Sequence, residues 1–138
     1  MNCVLYDSVR LAPTQLRLLP VVDEVRPYCE RIAALASQLG LRVEVDKSGN
    51  RLAKLIRSSE QEKVPITAVV GIRERDSNAL SLRARKVGEL AGGRALDASV
   101  VLDLLKKAAA NTAAEEDSGL EAFVRSVNLA AEAAADVQ

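Results

Sequence analysis

Apolar and polar positions along the chain switch between two periods, and each switch marks a predicted element. Leu16 to Val22 (LRLLPVV) is an apolar run broken by Pro20, which predicts a buried strand ending near the proline. The period then lengthens. Val25, Tyr28, Ile32, Leu35 and Leu39 recur at spacings of three and four, the stripe of an amphipathic helix. Asp23 is placed to cap that helix and Gly40 to stop it. Period two returns at Leu41 to Val45, where Leu41, Val43 and Val45 alternate with Arg42 and Glu44, so a second strand is expected. Asp46 to Asn50 is a polar turn. A second helix is expected from about Arg51 to Glu62, with Leu52, Leu55, Ile56 and Ser59 inside, and Pro65 ends the segment. Ile66 to Gly71 (ITAVVG) is apolar and rich in β-branched residues, as a central strand buried on both faces would be.

The second half predicts a hairpin. Arg73-Glu74-Arg75 forms one arm, Asp76-Ser77-Asn78 has turn chemistry, and Ala79 to Arg85 returns with Leu80 and Leu82 inward. Gly88 to Gly93 reads as loop or short edge strand. Asp97 can cap a helix carrying Val100, Val101, Leu104 and Leu105, with Lys106 and Lys107 near its C-terminal end, where positive charge suits the helix dipole. Residues 111–117 are small and polar. Ser118-Gly-Leu-Glu121 matches a capping box and opens a last helix with Leu120, Phe123, Val124 and Val127 on one side. Strand–helix alternation in the first half implies right-handed crossovers and parallel strands, to which the hairpin adds antiparallel ones. The expected fold is α/β, a mixed, mainly parallel sheet of four to five strands flanked by helices. It occupies residues 1–110, with 111–138 as linker and C-terminal amphipathic helix.

Composition narrows the chemistry. Histidine is absent, which removes the commonest general base, the Ser–His and Cys–His pairs and most zinc sites. There is no GxxxxGK[ST] and no GxGxxG, so no nucleotide loop is recognisable, and no cofactor or metal is implied. Cys3 and Cys29 have no metal-ligand spacing; a reduced, intracellular compartment is the simplest inference, supported by the lack of a signal pattern or a long apolar span. The net charge is zero, so bulk attraction to phosphate cannot be assumed. The charge is unevenly spread, however. Residues 51–86 carry nine basic and four acidic side chains, and residues 87–138 carry four basic and nine acidic.

Specific residues then suggest a family. Leu11-Ala12-Pro13-x-Gln15, followed by a strand and Asp23, resembles the LAPxQ segment that introduces the anticodon-binding domain of class II aminoacyl-tRNA synthetases, closest to threonyl-tRNA synthetase. Arg42-Val-Glu-Val-Asp46 is similar to the family's RVxxD. Ile56-Arg57, with Pro65 eight residues beyond, resembles KIRxxxxxxxP. Gly71-x-x-Glu74 resembles GxxE, and Leu82-Arg83-x-Arg85 resembles VRxR. The likeness runs from about residue 11 to 107. It departs from the family at Gly49 (an Asn position, unless the loop shifts so that Asn50 serves), at Ala53 for glycine, at Leu55 for lysine, and in the loop Lys86-Val-Gly88.

The resemblance implies a tRNA anticodon-loop binding module without aminoacylation activity of its own. It implies that Glu74 and Arg83 read one base together, a carboxylate accepting from guanine N1–H and its exocyclic amine, an arginine donating to O6 and N7. A hairpin turn at 76–78 would set the two on neighbouring strands. A plain cross-strand salt bridge is the structural alternative. Arg57, Arg85 and Lys86 are candidate phosphate contacts. Asn50 and Arg51 stand at a helix N-terminus, where free amides suit anions, although ordinary helix capping is the simpler role. Tyr6, Tyr28 and Phe123 are the three aromatics, too few for a base-stacking platform. The competing expectation is a protein-interaction module docking a partner through the last helix, by Leu120, Phe123, Val124 and Val127.

Overall fold

The structure is a computed structural model that describes residues 14–85, 87–110 and 119–137. Strand β1 (Leu16–Pro20) stops at its proline, as expected. A single 3-10 turn, Asp23–Val25, leads into helix α1 (Arg26–Gln38), whose second residue is Pro27. Proline is tolerated there because first-turn amides have no acceptor within the helix. Asp23 makes no cap; its carboxylate lies 3.4 Å from the Arg26 guanidinium instead. The buried stripe also turns. Val25, Tyr28 and Ile32 are buried, but Leu35 and Leu39 are 51% and 42% exposed, and Cys29 and Ala36 complete the inner face. After Ile32 the stripe continues four residues on, at Ala36, rather than three, at Leu35; both steps fit a helical period. The helix ends in a Schellman motif, with Gly40 N–H donating to Ser37 O and Leu41 N–H to Ala36 O, both at 3.0 Å. Gly40 takes the left-handed φ of +82° that this motif requires.

Strand β2 (Val43–Val45) and helix α2 (Leu52–Gln61) follow. Leu55 and Ser59 are buried beneath α2, with Leu52 and Ile56 half-buried. Strand β3 (Ile66–Val70) lies between β1 and β4 (Ala79–Ala84) and is buried except at Val69.

The expected hairpin does not form, because Ile72–Ser77 is a short helix, α3. The run IRERDS lacks the alternation that would prolong a strand. Glu74 accepts the Gly71 N–H at 2.8 Å, the acidic half of a capping box. Asn78 closes the helix at φ +54°, a left-handed conformation that asparagine tolerates. Strands β5 (Gly88–Glu89) and β6 (Ala95–Asp97) share the outer edge of β4, with a 3-10 turn at Ala91–Gly93 between them. Helix α4 (Ala98–Ala110) is capped by Asp97, whose carboxylate accepts from the Ser99 amide at 2.9 Å and hydroxyl at 2.6 Å. Helix α5 spans Gly119–Val137. Ser118, and with it the expected capping box, lies outside the described residues.

The sheet runs β2-β1-β3-β4-β5, with β6 also on β4. Pairs among β2, β1 and β3 are parallel, and every pair made by β4 is antiparallel. The mixed α/β sheet flanked by helices is as expected, and the two very short strands raise its count among the described residues to six. One face carries Leu16, Leu18, Ile66, Ala68, Leu80 and Leu82 into a core shared with α1, α4 and α5. The last helix is part of that core. Phe123 and Val127 are 1% and 0% exposed and Val124 is partly buried against the same cluster, so the face expected to dock a partner is covered by this chain itself. The Leu120 side chain lies outside the described residues. The opposite face carries Arg17, Leu19, Thr67, Val69, Ser81 and Arg83, and α2 packs on part of it. No helix among the described residues is long and apolar enough to cross a membrane.

Candidate nucleic-acid interface

A single row of side chains crosses this second face. Glu44 on β2 lies opposite Arg17 on β1, then come Thr67 on β3, Arg83 on β4 and Glu89 on β5. The two arginines of the row live in different surroundings. Arg17 is buried beneath α2, its side chain 7% exposed. Its Nε donates to Glu44 at 2.7 Å, its Nη2 to Glu62 at 2.7 Å and its Nη1 to the Ser59 hydroxyl at 3.5 Å. Burial alone would lower its pKa; the bonds and charges of Glu62 and Glu44 outweigh that and raise it. Arg17 is therefore a fully engaged structural cation, and its one sequence signal was a charge inside an apolar run.

Arg83 is half-buried at the margin of α2, beside a shallow recess formed with Ile56, Glu60 and Val64. Among the described residues its guanidinium has no hydrogen bond or ion pair. Val69 and Ser81 lie half-buried on the same face, while Ala68, Leu80, Leu82 and Ala84, on the other, are buried. Among the described residues, Val69, Ser81 and Arg83 thus keep part of this half of the sheet surface accessible.

Glu74 and Arg83 do not sit on neighbouring strands. Arg83 pairs with Thr67, whereas Glu74 is anchored on Gly71, four residues further along β3, about 13 Å at 3.3 Å per residue. No cross-strand salt bridge joins them. Arg85 is tied down: its Nε donates to the Glu60 carbonyl at 3.2 Å, at the C-terminal end of α2 where a cation meets the helix dipole. Lys86 lies outside the described residues. Asn50 and Arg51 do precede α2, yet neither side chain caps it. The Asn50 N–H donates to the Ser48 hydroxyl at 3.4 Å, within a turn in which Asp46 accepts from Ser48.

Arg57 is exposed on α2 and, among the described residues, without a side-chain partner. The same holds for Arg51 and for Lys54, which sequence reasoning passed over although its three-residue spacing from both was visible. Arg73, exposed on α3, was also passed over because it was read as part of a strand arm. Among the described residues, the arrangement is thus a partly accessible sheet surface with one unpaired arginine, bordered by a line of exposed cations on α2. It offers donors for a polyanion, and among the described residues no group of three or more His, Cys, Asp or Glu is placed to hold a metal.

Comparison with known proteins fits this geometry. A family model described as the anticodon binding domain matches residues 15–108. The threonine–tRNA ligase of Synechococcus sp. (strain WH7803) is 48% identical over 111 residues, covering 80% of this chain and 17% of that enzyme. That of Synechocystis sp. (strain ATCC 27184 / PCC 6803 / Kazusa) is 51% identical over 80 residues, 58% of this chain and 13% of the relative. The chain therefore spans about a sixth or less of the length of these relatives. Among solved structures, the RNA binding domain of threonyl-tRNA synthetase from Cryptosporidium parvum Iowa II superposes with a TM-score of 0.65 at 20% identity, over 72% of this chain and 24% of that one. Prolyl-tRNA synthetase from Cryptosporidium parvum gives 0.63 at 18% identity, over 89% and 24%. At these identities the structural likeness establishes the fold.

Proposed function

The chain belongs to the anticodon-binding domain family, and on that premise we propose that it binds tRNA through the anticodon loop, with no aminoacylation activity of its own. The threonine–tRNA ligases extend far beyond the stretch that this chain matches, and we place aminoacylation in the parts it does not span. The observation that carries the reading is Arg83, unpaired among the described residues on a partly accessible sheet surface bordered by exposed cations. Bases in an RNA loop are unstacked, so their edges are open to side chains. Arg83 supplies a planar donor fork for guanine O6 and N7. Glu74 keeps Oε2 for a base N–H, since Gly71 engages Oε1. The two groups bracket a base from its ends rather than from adjacent strands. Arg51, Lys54 and Arg57 meet the phosphates, while Arg85 acts mainly in fixing α2 to β4.

The test is a titration of the chain against a threonine-accepting tRNA transcript, its isolated anticodon stem-loop and a stem-loop with a scrambled anticodon. Saturable binding that weakens with salt, at a slope reflecting about three or four phosphates, is expected. The scrambled loop should bind less tightly. Absence of binding at low salt would overturn the proposal. No observation favours the protein-interaction alternative through the last helix.

A further inference from the structure

Among the described residues, strand β2 lies at one edge of the sheet and is bonded to β1 alone. The Leu16 N–H donates to the Arg42 carbonyl at 3.4 Å, and the Asp46 N–H donates to the Leu18 carbonyl at 3.0 Å. In a parallel ladder alternate residues turn both backbone groups to the same neighbour. Residues 42, 44 and 46 therefore face β1, and Val43 and Val45 turn their N–H and C=O groups outward. No described residue bonds those four groups, although both valines are half-buried.

The edge forms the floor of an open groove of about 690 Å³. Its two sides differ in chemistry. Toward α1, Ala33, Val43 and Val45 are apolar and pack at the margin of the core. Toward α2, Arg17 sits between Glu44 and Glu62, one guanidinium for two carboxylates that are 51% and 59% exposed, so negative charge is left over. We propose that this groove binds an extended peptide segment that adds a strand to β2 and alternates apolar with basic residues. Its apolar side chains lie on Ala33, Val43 and Val45, and its lysines or arginines meet Glu44 and Glu62. Backbone pairing supplies affinity and the two-sided alternation supplies selectivity. Strands β1 and β3 lie between this surface and β4 with Arg83, so peptide and RNA are expected to bind at separate sites.

The probe is the blocked peptide acetyl-VKVKVKV-amide, titrated into the isotope-labelled 138-residue chain and followed by amide NMR. Saturating shifts centred on Val43 to Lys47 and Glu62 are expected, with none for acetyl-VEVEVEV-amide. Val45→Pro removes an outward donor at an edge position where proline is tolerated, and should weaken binding about tenfold while leaving β3 and β4 resonances in place. Equal binding of the acidic peptide, unchanged affinity of a folded Val45→Pro chain, or shifts centred away from β2 would each overturn the proposal. So would tRNA producing the same β2 shifts, which would assign the groove to RNA. If Val45→Pro fails to fold, the comparison of the two peptides on the unaltered chain decides.

Discussion

The carboxylate of Glu74 holds the amide of Gly71 at 2.8 Å, so the residue proposed to read a base is also the N-terminal clasp of α3. The glycine makes room for this clasp, since a Cβ at 71 would lie 3.0 Å from Glu74 Oε1. The clasp aims the side chain and leaves one oxygen free. Any change at Glu74 therefore acts on the local backbone as well as on the ligand, and a single substitution cannot separate the two.

Two substitutions can. Glu74→Gln keeps an acceptor oxygen for the Gly71 amide but loses the charge; Glu74→Ala loses both. Urea denaturation should show Glu74→Gln within about 0.5 kcal/mol of the parent and Glu74→Ala about 1 kcal/mol less stable. Binding to the anticodon stem-loop should fall for both. If Glu74→Gln binds as tightly as the parent, the carboxylate has no role in reading a base.

Arg83 offers the opposite case, because it supports nothing in the fold that the described residues reveal. Arg83→Gln should leave stability within about 0.5 kcal/mol of the parent. It should weaken stem-loop binding by about 1–3 kcal/mol, and by most where the base it reads is guanine. Arg83→Lys should not rescue it, since an ammonium lacks the planar fork. Arg57→Ala should instead lower affinity uniformly across loop sequences and reduce the salt slope by about one. Anisotropy titrations at several salt concentrations distinguish the two patterns.

The order of elements was legible because alternation and helical spacing are strong signals where a segment packs on one side only. Strands β2 and β4 and helices α1, α2, α4 and α5 carry them, while β1 and β3, covered on both faces, show as apolar runs instead. The misread segments are those in which local chemistry outvoted period. Arg73-Glu74-Arg75 reads as a strand arm because Asp76-Ser77-Asn78 after it has turn residues, but the same asparagine also ends a helix in the left-handed conformation. The stripe of α1 was misassigned at its end because Leu35 and Ala36 both fit the spacing, and only contact with the sheet selects between them. The candidate site was legible as residue types, since Arg57 and Arg83 are accessible cations. Their availability was not, because pairing is a three-dimensional property. The local sequence marks Arg17 only as a charge inside an apolar run; it does not show that Arg17 holds two carboxylates and a hydroxyl while Arg83, among the described residues, holds none.

Acid should act on the cap of α4. Hydrogen bonds from the hydroxyl and amide of Ser99 hold the Asp97 carboxyl below its ordinary 3.8. A group whose pKa is depressed in the folded state stabilises fully above its unfolded value, and that contribution is lost as pH falls through the folded one. Asp97→Ala should therefore cost about 1 kcal/mol at neutral pH, the usual worth of such a cap, and progressively less as pH falls below about 3.8. Asp97→Asn, which retains an acceptor oxygen, should lose little at neutral pH and show no such acid dependence. Thermal melts of the three proteins between neutral and acid pH provide the comparison.

The last helix separates a structural element from an appended docking element, and two of its residues make the distinction sharp. Phe123 is 1% exposed and shares the core with Val127 and Ala131, whereas Leu129, on the outer side of the same helix, is 65% exposed. Truncating a buried phenylalanine removes its transfer free energy and leaves a cavity, so Phe123→Ala should cost about 3–5 kcal/mol. That is a large share of the roughly 5–15 kcal/mol by which a domain is usually stable. Leu129→Ala exposes no cavity and should change stability by less than about 0.5 kcal/mol. A chain ending at Ala110 would uncover the apolar surface of α4 that α5 now protects, including Leu105 at 0% exposure, and should aggregate or lose its cooperative transition. A Phe123→Ala chain as stable as the parent, with an intact cooperative transition after truncation, would show instead that α5 lies outside the folding unit. Urea denaturation of these three variants decides the question without any ligand, and so independently of whether the domain binds RNA.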